Sequence, residues 1–264
     1  MTSSPQPTLN QVIDLAKAAG EIVRAGFDNK HTIGYKSAVD VVTESDKNSE
    51  AYILKQIRAN FPQHAILTEE SGAHAGESEH LWIIDPLDGT VNYSHHLPIY
   101  SISIAYQLQG QLQLGVVYDP THDECFSAEK GKGASLNGKK IAVSSATELI
   151  QTLMVTGFPY DRQSAEYARA LRLFSHVTTI TQGVRRLGSA ALDMCYVASG
   201  RLDAYWELSI HLWDIAAAAL ILQEAGGVVS DIHGRPDFMT PPYALIGSTP
   251  GVYAALLSEL EKTA

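Results

Sequence analysis

The segment WIIDPLDGT, residues 82–90, constrains the fold of this chain more than any other stretch. It opens with an apolar run that is typical of a buried β-strand, and it then presents two carboxylates, Asp85 and Asp88. Pro86 lies between them with a fixed φ and no backbone N–H, so we predict that the strand stops there. A Gly-Thr pair follows at the expected start of a helix. The segment therefore predicts a strand that delivers two acids to its carboxyl end.

The same segment meets both chemical requirements of a metal-dependent phosphate site. Carboxylates bind hard cations such as Mg²⁺. The backbone N–H groups of Gly89 and Thr90, at the start of the expected helix, are suited to phosphate oxygens. No Gly-rich loop of the Walker type occurs in the sequence, which argues against a nucleoside triphosphatase.

Composition argues against several other classes of protein. The chain has 264 residues and a net charge of −10, which disfavours a nucleic-acid surface and binding to anionic membranes. Cys125 and Cys195 lie far apart and are expected to be buried thiols rather than a disulfide. No apolar run is long enough to span a bilayer, and residues 1–8 do not resemble a signal peptide. We therefore expect a cytoplasmic protein without nucleic-acid or membrane partners.

Alternating strand and helix patterns predict an α+β fold, and the length of the chain suits two fused halves, residues 1–142 and 143–264. The polar stretch 71–80 is expected to be a loop. The expected helices cover residues 9–27, 43–62, 164–176, 189–198, 213–225 and 251–262, and the expected strands cover residues 65–68, 81–85, 100–108, 112–118, 125–128, 202–206 and 243–247, with one more near 153.

Five stretches resemble, in this order along the chain, the inositol monophosphatase family of Mg²⁺-dependent, lithium-sensitive sugar-phosphate phosphatases. They are VDVVTESD (39–46), ILTEES (66–71), WIIDPLDGT (82–90), GKGASLNGKKIAVS (131–144) and YWELSIHLWDIAAAALILQEAGG (205–227). The resemblance spans nearly the whole chain. It implies a layered α-β-α-β-α sandwich with mixed sheets, most metal ligands in the first half, one in the second, and a homodimer.

The resemblance also implies two or three Mg²⁺ ions. Glu69, Asp85 and the carbonyl of Leu87 would hold the first ion, Asp85, Asp88 and Asp214 the second, and a third, weaker ion would lie near Glu69. Two like charges ~4 Å apart at an effective dielectric constant of ~20 repel by about 4 kcal/mol, so such a cluster requires cations. Taken alone, Asp214 would be read as an ordinary N-cap before an apolar helix.

The catalytic roles that the resemblance implies fall on three residues. The Thr90 hydroxyl orients the attacking water and is held by Asp46, while Glu69 orients or deprotonates that water. Without the resemblance, Asp46 would be an acid in the first turn of a helix, where the helix dipole favours it. Glu70 would only support this group, and no Cys or Ser nucleophile is required.

The implied substrate contacts are divided between the two halves. The residues in the first half would meet the phosphate group, those at a helix start in the second half would meet a sugar ring, and an acid would accept sugar hydroxyls. The implied substrate-binding residues are Asp88, Gly89 and Thr90 for the phosphate, Gly188, Ser189 and Ala190 for the ring, and Glu207 for the hydroxyls.

Four further residues are weaker candidates for substrate contacts. His211 and Lys36 match family positions near the site, although each has an ordinary local explanation. Arg185 and Arg186 resemble a solvated surface pair, yet they precede the ring-binding segment and would suit a second phosphate.

These observations favour a Mg²⁺-dependent phosphomonoesterase that hydrolyses inositol-1-phosphate or a similar polyol phosphate by attack of metal-activated water. The alternative substrates are fructose-1,6-bisphosphate, histidinol phosphate, and a 3′-phosphonucleotide or NADP. A non-catalytic binding protein that senses metal is a third hypothesis, which the complete set of acids disfavours.

Overall fold

A computed structural model of the chain describes residues 4–28, 34–35 and 41–262. Within these ranges, the helices and strands alternate as the sequence predicts. The seven helices are α1 (Leu9–Phe27), α2 (Glu44–Asn60), α3 (Thr90–Ser94), α4 (Ala165–Ile180), α5 (Ala190–Ala198), α6 (Leu212–Glu224) and α7 (Pro250–Lys262).

Two large mixed sheets and a two-stranded ribbon account for the described strands. The ribbon pairs β1 (Gly34–Tyr35) with β2 (Val41–Val42). The strands of the larger sheet are β3 (His64–Thr68), β4 (Gly72–His74), β5 (Glu77–Asp88), β6 (Ser101–Leu108), β7 (Gln111–Asp119), β8 (Glu124–Glu129), β9 (Ala134–Leu136) and β10 (Lys139–Lys140). Those of the smaller sheet are β11 (Leu153–Thr156), β12 (Gly183–Arg185), β13 (Ala204–Glu207), β14 (Val228–Asp231) and β15 (Leu245–Ser248).

Strand pairing makes both sheets mixed. The larger sheet has the order β10-β9-β8-β7-β6-β5-β3-β4, in which β3 and β5 are parallel and the other pairs are antiparallel. The smaller sheet has the order β12-β11-β13-β15-β14, with β11 parallel to both of its neighbours. Because β3 and β5 run in the same direction, their carboxyl ends lie at the same edge of the larger sheet.

Five layers stack in the order that the family resemblance implies. Helices α1 and α2 cover one face of the larger sheet, α5 and α6 lie between the two sheets, and α4 and α7 cover the far face of the smaller sheet. The expected α-β-α-β-α sandwich is therefore confirmed. The middle apolar cluster combines side chains from before and after residue 142, such as Ile83 and Leu192.

Helix α6 is buried on nearly every side because it fills the middle layer. The side chains of residues 216–219 are all alanine and are fully buried. Their small size lets the larger sheet approach closely: a Cβ added at Gly115 would lie 2.6 Å from the carbonyl oxygen of Ala217. This contact fixes the position of the helix whose first turn carries Asp214.

Most local predictions are confirmed. Helix α1 spans the predicted residues 9–27 and begins with a capping box, in which the Gln11 N–H donates to Thr8 Oγ1 at 3.3 Å and the Thr8 N–H donates to Gln11 Oε1 at 2.9 Å. The hairpin β6–β7 forms across the predicted turn. Cys125 and Cys195 are free, buried thiols. None of the helices in the described ranges has both the length and the apolar character that crossing a bilayer requires.

Two predictions about the strand around Pro86 are wrong. The strand does not stop at Pro86 but continues to Asp88, because pairing with β6 shifts register between Asp85 and Asp88. Pro86 lies in this bulge, where its missing N–H removes no ladder hydrogen bond. Residues 71–80 are also not a simple loop, since β4 pairs with β3 and β5 already begins at Glu77.

Candidate active site

Carboxylates from three parts of the fold line one cleft of about 350 Å³. Glu69 follows β3, Asp85 and Asp88 lie at the end of β5, and Asp214 lies in the first turn of α6. The parallel pairing of β3 with β5 and the packing of α6 against the larger sheet bring these elements together. The four acids that the sequence analysis singled out thus face a common space.

The bulge at the end of β5 holds the first acid in place. The N–H of Leu87 donates to Asp85 Oδ1 at 3.0 Å, and Ser49 Oγ, from α2, donates to the carbonyl of Pro86 at 2.8 Å. Asp85 and Leu87 are fully buried from bulk solvent yet border the cleft. A carboxylate and a backbone carbonyl, both hard oxygen donors, are therefore fixed side by side.

Helix α5 holds the second acid through its amino end. Asp88 Oδ2 accepts hydrogen bonds from Ser189 Oγ at 2.5 Å and from the Ala191 N–H at 2.9 Å, and the Ala190 N–H lies 3.3 Å from Oδ1. Ser189 lies at the N-cap position of α5, where a serine commonly caps a helix, but its hydroxyl does not bond to the helix. The structure instead places Ser189 and Ala190 as the groups that orient Asp88.

Asp214 is anchored within its own helix. It is the third helical residue rather than the N-cap, which is His211. Asp214 Oδ2 accepts a hydrogen bond from the His211 N–H at 3.0 Å, and the Asp214 side chain borders the cleft. The imidazole of His211 stacks on Trp213 at 4.7 Å and is exposed, which agrees with a local role.

A hydroxyl and a carboxyl stand next to the acids. Thr90 Oγ1 lies 2.8 Å from Asp46 Oδ1 and 3.0 Å from the carbonyl oxygen of Leu87, and it donates to these acceptors. Asp46 Oδ2 in turn accepts from the N–H of Thr43 at 2.8 Å and from its hydroxyl at 2.5 Å. Asp46 is thus both the capping-box acid of α2 and the partner of Thr90, so the two interpretations made from the sequence hold together.

Gly89 permits the close approach of three segments at the edge of the cleft. Its φ of 90° lies in the left-handed region, and a Cβ there would come within 2.9 Å of the Ile99 carbonyl oxygen and 3.3 Å of the Gly188 carbonyl oxygen. A larger residue would therefore both strain the backbone and push these segments apart.

The electrostatics of the cleft favour a cation. Burial raises the pKa of Asp85 well above its usual range, and the charges of Glu69, Asp88 and Asp214 raise it further. Burial also raises the pKa of Asp214 strongly, and it raises that of Asp88 to about 6 although the hydrogen bond from Ser189 opposes the change. Negative charge is therefore costly here until a positive charge is shared among the acids.

The donor set fits Mg²⁺, since it consists only of oxygens. In the described ranges, no three imidazole, thiol or carboxyl groups already stand together at metal-ligand spacing. One implied ligand is the backbone carbonyl of Leu87, which is not a side-chain group. The arrangement is an open cleft lined by acids rather than a closed cage.

A smaller lobe of about 60 Å³ extends the cleft toward the second half of the chain. Glu207 lies in this lobe at the end of β13, and Tyr205 donates to its Oε2 at 2.6 Å. A Cβ added at Gly157 would lie 2.0 Å from that same oxygen, so a larger residue there would displace the carboxyl group. Burial raises the pKa of Glu207 to about 7.

The structure separates the two arginines that the sequence presented as a pair. Arg186 lines both the cleft and its lobe, whereas Arg185 borders neither and donates to the neighbouring carbonyl of Val184 at 3.5 Å. Lys36 lies outside the described residues, as do residues 39 and 40 of the first family-like segment.

Some cleft residues carried no signal that the sequence analysis used. The aromatic and basic side chains of the loop after β11 form one wall, and no motif marks that loop. Glu50 accepts hydrogen bonds from Thr68 Oγ1 at 2.7 Å and from the Glu70 N–H at 3.0 Å, and so fixes the turn that presents Glu69. Its spacing of four from Asp46 on one helix would have placed it on the same face. The missed wall residues are Phe158, Pro159, Tyr160, Arg162 and Tyr167.

Comparison with known proteins agrees with this architecture. The model of the inositol monophosphatase family matches residues 4–263. A relative from Pasteurella multocida, named Nus factor SuhB, is 40% identical over 258 residues, which cover 97% of this chain and 96% of that protein. The structure of inositol monophosphatase from Anabaena (Nostoc) sp. PCC 7120 has a TM-score of 0.87 and 41% identity, and covers 96% of this chain and 95% of that chain. The extragenic suppressor protein suhB from Bartonella henselae has a TM-score of 0.91 and 34% identity, and covers 96% of this chain and 98% of that chain.

Proposed function

The chain belongs to the inositol monophosphatase family, and on that premise we propose that it is a Mg²⁺-dependent phosphatase of inositol-1-phosphate or a similar polyol phosphate. The observation that carries the proposal is the hydrogen bond from Thr90 to Asp46 beside four acids in one cleft. A protein that only sensed metal would need the acids but not a hydroxyl held beside them by a separate carboxyl group.

The Thr90 hydroxyl and the Glu69 carboxylate prepare a water molecule for attack on the phosphate. A hydroxyl has one proton to donate and two lone pairs that accept. The proton of Thr90 is engaged by Asp46 or by the carbonyl of Leu87, so its lone pairs are left to accept from a water in the cleft. This turns the oxygen of that water toward the phosphorus, with Glu69 as the nearby carboxylate that can take its proton.

The acids would hold the ions through Glu69, Asp85, the carbonyl of Leu87, Asp88 and Asp214. When bound there, Mg²⁺ would lower the pKa of water and neutralise charge that develops on the phosphate. We propose two or three ions, and lithium inhibition, on the strength of family membership.

The phosphate group would lie against Gly89 and Thr90, at the start of α3, with Asp88 beside it. The alcohol part of the substrate would extend into the lobe, where Gly188 borders the ring and Glu207 accepts a hydroxyl. Because Arg186 also borders the lobe, a second acidic group on the substrate stays an alternative, as in fructose-1,6-bisphosphate or a phosphonucleotide.

The proposal is tested by phosphate release across a panel of substrates. The panel contains inositol-1-phosphate, fructose-1,6-bisphosphate, histidinol phosphate, 3′-phosphoadenosine 5′-phosphate and NADP. The highest kcat/KM on inositol-1-phosphate supports a polyol substrate. The highest value on a bisphosphate supports the alternative, and an Arg186→Ala variant should then lose that preference while it keeps activity on monophosphates.

A homodimer and a cytoplasmic location are also proposals from family membership. Sedimentation equilibrium tests the first. The second requires fractionation of the source cells.

The relatives named Nus factor suggest a second candidate function, because one of them is 40% identical across 97% of this chain. A role of that kind would be a binding function that is independent of hydrolysis. It also bears on the expectation that the chain has no nucleic-acid partner, which rests only on the net charge of −10. Fluorescence anisotropy with labelled RNA and DNA tests this expectation: binding that persists in a Thr90→Ala variant would favour the second function.

A further inference from the structure

The lobe beside the acid cleft contains a carboxyl group that the proposed chemistry does not use. Asp193 lies on α5, one turn after the residues that hold Asp88, and it borders the lobe together with Glu207. Its side chain is 2% exposed. The start of α5 therefore contacts Asp88, and Asp193, further along the same helix, borders the lobe.

Asp193 lacks the hydrogen bonds that a buried carboxyl group normally makes. Its Oδ1 is buried, and no donor in the described ranges reaches it. Burying a polar atom without a partner costs free energy, so nearly all such atoms in folded proteins have one. By contrast, Asp46 and Asp88, which are also buried, are both fully engaged by donors. An external donor in the lobe would satisfy Asp193.

The charges around the lobe select the chemistry of that donor. Asp193 and Glu207 place two acidic side chains at this end of the lobe, which disfavours a phosphate or carboxylate beside Asp193. Arg186 borders the same lobe and disfavours an ammonium group. A neutral donor that can bond to two neighbouring acceptors, such as a pair of adjacent hydroxyls, is left.

We propose that Asp193 is a second hydroxyl acceptor of the substrate site. Together with Glu207, it accepts hydrogen bonds from two hydroxyls of a polyol leaving group. This inference rests on the proposed phosphatase function and narrows its substrate class. It predicts that substrates without hydroxyls gain nothing from Asp193.

The test compares two esters in three variants at saturating Mg²⁺. Asp193→Leu keeps the approximate shape of the side chain and removes both acceptors, whereas Asp193→Asn keeps one acceptor oxygen. Tyr196→Phe is the control, because Tyr196 lies on the same helix but contacts Phe126 and Arg201. The esters are inositol-1-phosphate and p-nitrophenyl phosphate, whose leaving group has no hydroxyl to donate.

We expect Asp193→Leu to lower kcat/KM for inositol-1-phosphate by roughly tenfold to a hundredfold, the range for loss of a hydrogen bond to a charged group, and to leave p-nitrophenyl phosphate unchanged. Asp193→Asn should lose less, and Tyr196→Phe nothing. The melting temperature should not fall in either Asp193 variant, because each removes a buried carboxyl group that lacks a partner.

Three results would overturn the inference. Equal losses on both esters, or no loss on either, would mean that Asp193 does not read hydroxyls, while the phosphatase function stands. A wild-type protein that hydrolyses neither ester with Mg²⁺ would overturn the proposed function and this inference with it. If Asp193→Leu does not fold, the ratio of the two esters in Asp193→Asn decides.

Discussion

At the scale of single residues, Asp46 combines a local role at the start of α2 with a contact to Thr90 at the cleft. Asp46 belongs to the capping box of α2 and also accepts from the Thr90 hydroxyl. The sequence predicted each role separately, and the geometry shows that the two oxygens of one carboxyl group divide them. A local explanation for an acid is therefore no argument against a role in the site.

The orientation of Thr90 leads to a specific expectation for its variants. Thr90→Ala should lower kcat by about a hundredfold or more, the usual range for loss of a group that positions or deprotonates water, with little change in KM. Thr90→Ser keeps the hydroxyl and should retain most of the activity. Steady-state kinetics on the preferred substrate measures both, and a Thr90→Ala enzyme with unchanged kcat would remove Thr90 from the mechanism.

The raised pKa of the cleft acids links metal binding to pH. Burial raises the pKa of Asp88 from 3.8 to about 6, so the folded state holds this proton more tightly than the unfolded state does. The contribution of Asp88 to the free energy of unfolding therefore falls as the pH rises from about 4 to about 6. Mg²⁺ competes with that proton, so the increase in melting temperature on adding Mg²⁺ should be larger at about pH 7.5 than at about pH 4.5.

Two variants check that this increase comes from the cleft. Asp88→Asn should abolish it, whereas Glu124→Gln, which alters a carboxyl group paired with Arg201 elsewhere, should keep it. Differential scanning fluorimetry gives the melting temperatures. A full Mg²⁺ response in Asp88→Asn, or equal responses at the two pH values, would contradict the assignment of the metal site.

At the scale of elements, the sequence located the acids better than the strand that carries them. The motif 82–90 identifies Asp85 and Asp88, but the strand continues through Pro86 because β6 shifts register beside it. A pattern along one chain shows the proline and cannot show the partner strand that accommodates it. The same limit applies to Ser189. Its residue type and position predict a helix cap, but its hydroxyl donates to Asp88, which is distant in sequence.

The serines at the starts of α4 and α5 allow a helix cap to be distinguished by experiment from a residue that orients Asp88. Ser164 caps α4 by accepting from the Tyr167 N–H, so Ser164→Ala should lower the free energy of unfolding by about 1 kcal/mol and leave kcat unchanged. Ser189→Ala should instead lower kcat/KM and weaken Mg²⁺ binding, because its hydroxyl bonds to Asp88. Chemical denaturation and kinetics on both variants check this. A Ser189→Ala protein that only loses stability would show that the serine is a cap after all.

At the scale of the whole molecule, the site is assembled from several of the five layers: the larger sheet, the helices between the sheets and the smaller sheet. Family membership implies this layering, and composition and periodicity alone would not have given it. The loop that supplies Phe158 and Tyr160, and the lobe that Asp193 borders, depend on how the two sheets are spaced around α5 and α6. Such residues follow from the packing, so no motif in the chain marks them.

The apolar core that the two halves share predicts how the protein unfolds. Residues from before and after 142 pack into one apolar cluster, so the two predicted halves should unfold together. Thermal unfolding followed by far-ultraviolet circular dichroism and by tryptophan fluorescence should give coincident transitions. Two separated transitions would show that the halves are independently stable units.

The central claim is that the acid cleft hydrolyses phosphate monoesters with Mg²⁺, and one measurement tests it most directly. Phosphate release from inositol-1-phosphate is followed with a chelator present, and then after Mg²⁺ is added in excess. We expect no release with the chelator, full activity after the addition, and none at either stage for Asp88→Asn. Equal release in the presence of the chelator, or wild-type activity in Asp88→Asn, would contradict the account.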